Sequence, residues 1–500
     1  MLAAGLCRIF SDAGLRVAPF KAQNMSNNSY VTSEGGEIGR AQAVQAECAR
    51  VEPSVHMNPL LLKPSGASVS QVVLRGKVAG SATSEDFRHL RARYFGETMK
   101  SLEILRSSNE VVVIEGAGSC AEVNLRGYDI ANFRAATACG APVILVADID
   151  RGGVFAQVVG TLELLKKSER ALVKGIIINK FRGDMALFDD GRRFIEQKTG
   201  VPVLGVVPFA HDIDIDAEDS LELDSVVARE ASPVGDRINI AAIRLPRVSN
   251  FTDLTPLFRH PAVNPVWLHR VAPLDGVDML ILPGSKNTRA DLQWLAQSGW
   301  RDAIIAYAKR GGRVLGICGG YQMLGQTVDD PDGAESAPGS TTGLGLLDVR
   351  TVMGREKRVA RVRAKWLATG CQLAGYEIHM GVTQLGGASA VMEIYDGAQT
   401  RLDGAVSPDG KVLGTYLHGL FDEPEFLDTF IGGFGKPVSG MAKPPSAFAY
   451  RQSQYDKLAG HLRTHVNIRL LFEIAGINPD SRINCCQDLT GANAVEEASL

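Results

Sequence analysis

The chain contains no run of about 18 or more apolar residues, so nothing in it has the length of a membrane-spanning helix. Its eight cysteines are scattered and include no C-x-x-C pair. The opening MLAAGLCRIF carries Arg8 inside a very short apolar run and does not read as a secretory signal. Together these absences predict free thiols in a reducing cytoplasm and no contact with a membrane. There is no basic excess either. A formal net charge of −3 without a Lys/Arg stripe gives no reason to expect nucleic-acid binding. No internal repeat and no low-complexity segment is visible. A last absence concerns nucleotides: no G-x-x-x-x-G-K-[ST] loop occurs anywhere, since Gly76-Lys77, Gly410-Lys411 and Gly435-Lys436 are not followed by Ser or Thr.

What is present is the material of a multi-domain α/β protein. Five hundred residues exceed one hydrophobic core, so two or three domains are expected. Apolar runs rich in β-branched residues recur at Val111–Ile114, Pro142–Ala147, Gly175–Ile178, Val201–Val207, Ile238–Ile243, Met279–Leu282 and Arg313–Ile317. Runs without polar alternation are the mark of parallel strands buried on both faces. Helical stretches lie between them at Asp129–Cys139, Ala156–Leu165 and Gly299–Arg310, and this alternation predicts mostly parallel sheets. Asp224–Asp236 (DSVVAREASPVGD) interrupts the pattern and marks a boundary. The expected order is a parallel-sheet domain over 1–224, a linker over 225–236, a second α/β domain over 237–432, and a C-terminal region over 433–500. In the last region Tyr455–Ile474 reads as one amphipathic helix followed by a loose tail. Val328–Thr342 reads as a loop.

The strongest local signal is VLGICGGYQMLG, Val314 to Gly325. An apolar strand runs into Cys318, and two glycines then permit the strained turn that pushes a nucleophile out at a strand's end. A following helix N-terminus favours the thiolate, the reactive form. A cysteine at a tight turn can also be inert, but two other segments argue for chemistry. LILPGSKNT (Leu280–Thr288) ends a strand in a Pro-Gly turn, so that backbone N–H groups around Gly284 and Ser285 can join that of Gly319 in an oxyanion hole. Losing one such donor costs roughly 3 kcal/mol of barrier. GTYLHGLFD (Gly414–Asp422) places His418 at the end of another strand. This constellation resembles the class I glutamine amidotransferase domain. The resemblance implies that Cys318 attacks the glutamine carboxamide and that His418 serves as acid and base. Many members carry Glu two residues after the His, whereas here that position is Leu420. The subgroup that amidates corrin rings lacks this Glu as well, which leaves a dyad, with Asp422 and Glu423 as weak candidates to orient His418.

Ammonia does not attack a free carboxylate usefully, so a glutaminase of this kind needs a partner site that activates one with ATP and Mg²⁺. Three consecutive strand ends could line such a site: Glu115 in VVVIEGAGSCAEVNL, Asp148 and Asp150 in VILVADIDRGGVF, and Asn179 with Lys180 in GIIINKFRGD. Strand-end carboxylates can hold Mg²⁺, and open α/β sheets bind ligands along this edge.

These segments, with PFKAQNMSNNSYVT (Pro19–Thr32), GEIGRAQAVQAE (Gly36–Glu47) and MNPLLLKP (Met57–Pro64), closely resemble the cobyric acid synthases from Met1 to about residue 475. The resemblance implies ATP-dependent amidation of the b, d, e and g carboxylates of adenosylcobyrinic a,c-diamide, giving adenosylcobyric acid, with glutamine as nitrogen donor. It implies a dethiobiotin-synthetase-like first domain, and it places Asn24, Asn27, Asn28 and Arg40 near ATP or the corrin carboxylates. Alternatives at this point are the a,c-diamide synthases, which act earlier on the same ring, and a binding module with a defective nucleotide site. In the family a strand and a phosphate loop precede the helix with which this sequence opens. The expectation is that such a segment lies upstream of Met1, and that these 500 residues alone hydrolyse glutamine but turn over little ATP. Nothing in the sequence indicates an oligomeric state.

Overall fold

The computed structural model describes residues 1–66, 69–218, 234–335, 337–397, 399–436 and 444–482. Both halves are α/β, and the apolar runs form parallel strands. In the first half, Val17–Phe20 pairs in parallel with Val111–Ile114. A second piece runs Val203–Pro208, Val173–Phe181, Val143–Asp148, also in parallel. The two pieces are not hydrogen-bonded to each other. Strand Val111–Ile114 is only half-buried along its whole length, and Val146 is 47% exposed. Parallel strands are normally covered on both faces, so these two are short of neighbours. A smaller sheet, Gln23–Met25, Leu60–Pro64, Val69–Leu74 and Lys77–Thr83, leans against the second half of the chain.

The second half centres on a sheet ordered Val263–Leu268, Ile238–Ile243, Met279–Leu282, Arg313–Ile317, Val412–Thr415, Ala405–Val406, parallel except for the last pair. Its residues Ile240, Ala242, Leu280, Ile281 and Val314 are almost wholly buried, as continuous apolar strands under two helical layers should be. Beside it a long antiparallel ribbon, Val349–Trp366 with Gln372–Leu385, reaches over to the first half. There Tyr376 and Ile378 pack on Val31, and the Arg361 guanidinium donates to the Val31 carbonyl at 2.9 Å.

Two expectations need correction. The stretch 328–342 is not only loop: Thr327–Asp330 and Gly339–Thr342 pair in antiparallel fashion. The single helix expected at 455–474 is two, Ala447–His465 and Ile468–Ile474. Val466 takes an extended conformation, and the Asn467 side chain caps the second helix by accepting from the Leu470 N–H at 3.0 Å. Both helices pack on the first half, where Leu458, Leu462 and Phe472 meet Ala4, Cys7 and Phe10. The Arg8 guanidinium binds Asp456 at 2.7 Å. The tail beyond 482 and most of the expected linker lie outside the described residues.

Candidate active site

Strand Arg313–Ile317 delivers Cys318 with φ 52° and ψ −108°, a conformation that costs a non-glycine residue roughly 1–3 kcal/mol. The turn is held by the Cys318 N–H donating to the Thr415 carbonyl at 2.8 Å and by the Gln322 N–H donating to the Cys318 carbonyl at 3.1 Å. The glycines that follow are there for close approach. A Cβ at Gly320 would lie 1.9 Å from the Leu282 oxygen, and one at Gly319 would lie 2.8 Å from the Ser285 nitrogen. The nucleophile turn therefore rests directly on the Pro-Gly turn, so that Gly319 meets the backbone of Ser285. Gly284 pairs with Ser249 across a short antiparallel bridge. The Ser285 hydroxyl is turned away, donating to Asp291 at 2.6 Å.

His418 follows strand Val412–Thr415, and its backbone exchanges two hydrogen bonds with Tyr376, on whose ring it stacks. The imidazole Nδ1 lies 2.6 Å from the Asp253 carboxylate, whose other oxygen accepts from the Gly419 N–H at 3.1 Å. Asp422 and Glu423 do not take this place; Asp422 instead pairs with Arg451 at 3.6 Å. Asp253 was not expected. It sits in a single turn, Phe251–Leu254, 165 positions before the histidine. No spacing or motif in the sequence links it to His418, because only the fold brings them together. Burial works against a charged imidazole here, but the Asp253 carboxylate and the adjacent Cys318 outweigh it and raise the His418 pKa to about 10. The thiol makes its own hydrogen bond to the Ile378 carbonyl at 3.5 Å, and Nε2 of His418 is buried without a partner. The imidazole thus carries its free nitrogen on the side of the sulfur, close enough for the thiol to help hold the ring protonated, and such catalytic bonds are often loose before substrate arrives.

Both side chains line one narrow cleft with an enclosed volume of about 40 Å³. Lys286, Glu335 and Lys357 line it too, and so does Lys63 from the first half of the chain. Lys63 and Lys357 both donate to Glu37, at 2.6 and 2.5 Å, and Glu37 is wholly buried. Burial, opposed by Glu37, lowers the Lys357 pKa to about 7.

In the first half, the strand ends bring Asp148, Asp150, Asn179 and Lys180 onto one edge. Asp148 lies opposite Asn179 in the ladder and accepts from Lys180 at 2.8 Å, while Asp150 pairs with Arg182 at 2.6 Å. Burial, the largest single effect, pushes Asp148 up, but Lys180 and the Asp150 N–H together outweigh it and hold the carboxyl below the usual carboxylate range. Glu115 stands on the other sheet piece, held by Lys21 at 3.3 Å and by Gln45. Among the described residues no three His, Cys, Asp or Glu side chains gather tightly enough to cage a metal ion. Carboxylates are the donors that Mg²⁺ takes alongside phosphate and water, and here Asp148, Asp150 and Glu115 are each held by a cation, Lys180, Arg182 and Lys21, that an arriving ion would displace. No Gly-x-x-x-x-Gly-Lys word occurs in these 500 residues to cradle the phosphates.

The Asn-rich segment lies between the halves. Asn24 is buried; its amide donates to the Gln42 side-chain oxygen at 2.8 Å, and its own oxygen accepts from the Met25 N–H. Asn27 keeps a buried oxygen without a partner. Asn28 donates to the Ala217 carbonyl and accepts from Thr252, and Arg40 is paired with Asp216 at 2.8 Å. A separate cavity of about 890 Å³ opens beside this region. It is bounded by Leu62 and Ser70, by Phe95, and by the loop from Ala117 to Arg134 that follows Glu115. The Arg134 guanidinium lies 4.4 Å over the Phe95 ring.

Residues 1–222 match the family model for the CobQ/CobB/MinD/ParA nucleotide binding domain, and residues 239–426 match that for the CobB/CobQ-like glutamine amidotransferase domain. The cobyric acid synthase of Chlorobaculum tepidum is 51% identical to this chain, over 96% of it and 95% of the relative. That of Chlorobium phaeobacteroides (strain DSM 266) is 49% identical over 95% and 94%, and that of Paracoccus denitrificans 48% over 95% and 96%.

Proposed function

The chain belongs to the cobyric acid synthase family, a glutamine-hydrolysing amidotransferase with a nucleotide-binding half, and on that premise we propose how its residues share the work. The overall reaction is amidation of the b, d, e and g carboxylates of adenosylcobyrinic a,c-diamide with nitrogen from glutamine. Cys318 attacks the carboxamide carbon, and the oxygen's developing charge is met by the Ser285 and Gly319 N–H groups. His418 protonates the departing nitrogen, so ammonia leaves and a thioester remains. Water, deprotonated by the same imidazole, then hydrolyses the thioester to glutamate and restores the thiol. Asp253 keeps the ring's Nδ1 occupied and its Nε2 turned to the sulfur.

ATP, when bound, supplies the phosphoryl group that makes a ring carboxylate reactive toward ammonia. Glu115, Asp148 and Asp150 are the groups offered to its Mg²⁺, with Asn179 and Lys180 beside them. The corrin ring is assigned to the 890 Å³ cavity, which has the size of a large-ligand site and begins two residues beyond Glu115. Arg134, stacked on Phe95, is the cation offered there to a ring carboxylate. Asn24, Asn28 and Arg40, all engaged between the halves, support the site from behind. The enzyme is placed in the cytoplasm.

The observation that carries this reading is a strained Cys318 sharing a cleft with a His418–Asp253 pair. Cys318→Ala is expected to abolish glutamine-dependent amidation and to spare amidation driven by high free ammonia, with product masses as the readout. Continued use of glutamine would remove Cys318 from the mechanism.

A further inference from the structure

Of the four charged side chains in the glutaminase cleft that the reaction above does not use, Lys63 and Lys357 are paired with Glu37, which leaves Lys286 and Glu335. Lys286 follows the Pro-Gly turn directly, and among the described residues its ammonium has no hydrogen-bond or ion-pair partner. Burial and the neighbouring Lys63 depress its pKa, so it carries its charge at a cost. Glu335 approaches from the stretch after strand Thr327–Asp330. Its carboxylate accepts from the Thr288 N–H at 2.9 Å and from the Thr288 hydroxyl at 3.4 Å, and among the described residues no cation is paired with it. Burial raises its pKa to about 7, with Lys286 acting in the opposite sense. The two groups feel each other electrostatically yet are not bonded, and both face the space that contains Cys318 and His418. An unpaired ammonium and an unpaired carboxylate at one site match a ligand that carries both charges at one end.

We propose that Lys286 and Glu335 form the subsite for the amino-acid head of glutamine, Lys286 taking the α-carboxylate and Glu335 the α-ammonium, while the carboxamide reaches Cys318. The assignment rests on the glutaminase reading. It explains how the cleft can select glutamine over the many other primary amides in a cell, asparagine included. Asparagine has the same head but is one methylene too short to span from the charged pair to the sulfur.

The test uses the full chain and three amides: glutamine, 4-aminobutanamide, which lacks the α-carboxylate, and glutaramate, which lacks the α-ammonium. Release of ammonia is measured for the wild type, Lys286→Gln, Lys286→Arg, Glu335→Gln and Cys318→Ser. The wild type is expected to favour glutamine over either analogue. Lys286→Gln should lower kcat/KM for glutamine by roughly 10- to 100-fold through KM, the worth of a charge-assisted hydrogen bond, and leave 4-aminobutanamide nearly unchanged. Lys286→Arg should recover part of the loss. Glu335→Gln should show the same pattern with glutaramate as the indifferent substrate. If the variants weaken all three amides equally, the two residues only hold the cleft together and the subsite is overturned. Unchanged KM for glutamine in both variants overturns it as well. A wild type whose ammonia release equals that of Cys318→Ser would instead sink the glutaminase reading itself.

Discussion

At the scale of single residues, the proposed mechanism turns on His418 and Asp253. The imidazole's pKa is raised to about 10, so its attraction to Asp253 is fully present below the ordinary histidine value of about 6.5. That contribution is lost as pH rises through about 10. Asp253→Asn is therefore expected to lower the alkaline limb of the glutaminase pH profile and to cut kcat by about 10²- to 10⁴-fold, since the ring loses its fixed tautomer. Initial rates of glutamine hydrolysis between pH 6 and 10.5 would check both effects; an unchanged profile would mean that Asp253 does not act on the ring. Cys318 and His418 were legible in the sequence because each sits in a short word, ICGG and YLHG, where local geometry and chemistry coincide. Asp253 was not. A carboxylate that meets its partner only through the fold leaves no trace in spacing.

At the scale of elements, strands were legible wherever β-branched residues ran together; the one leading into Cys318 fell where expected, whereas the one before His418 stops at Thr415 and leaves the histidine beyond its tip. The long ribbon Val349–Trp366 with Gln372–Leu385 was not foreseen, because its exposed face alternates polar residues and its length exceeds any apolar run. The break at Val466 was missed because helical periodicity continues across it, while Gly205 requires it. A Cβ at Gly205 would sit 2.1 Å from the His465 oxygen, so strand and helix end touch backbone to backbone. Gly320 poses the same demand beneath the nucleophile. Gly320→Ala is expected to destabilise the second half by roughly 3 kcal/mol or more, since backbone rather than a flexible side chain must yield. Urea unfolding followed by tryptophan fluorescence, whose four sources, Trp267, Trp294, Trp300 and Trp366, all lie in the second half, would measure it.

At the scale of the molecule, the sequence indicated two halves and a boundary but not how tightly they interlock. Helix Ala447–His465 returns to the first half, and the ribbon of the second half delivers Lys357 to Glu37. Glu37 serves two lysines from a position with no access to water. Glu37→Gln should cost about 3–5 kcal/mol, because it strands cationic groups in the interface. Replacing Glu37 and Lys357 together by apolar residues should cost less than the single change, which a double-mutant cycle in urea would show.

The turn bearing Asp253 begins at Asn250, whose backbone is left-handed (φ 50°) and whose side-chain oxygen accepts the Ser29 N–H at 2.9 Å. Thr252, next to the acid, donates to Asn28. The acid that aims the imidazole is thus clasped by the synthetase side. Asn250→Gly preserves the backbone shape but removes the clasp; it should slow glutamine hydrolysis by about tenfold, the worth of one buried hydrogen bond, and, by leaving the Ser29 N–H unpaired, cost about 1–3 kcal/mol of stability. A rate equal to the wild type would show the clasp to be idle. If the clasp governs the rate, any shift of Asn28 and Ser29 idles the hydrolase, and no ammonia is released where nothing waits to receive it.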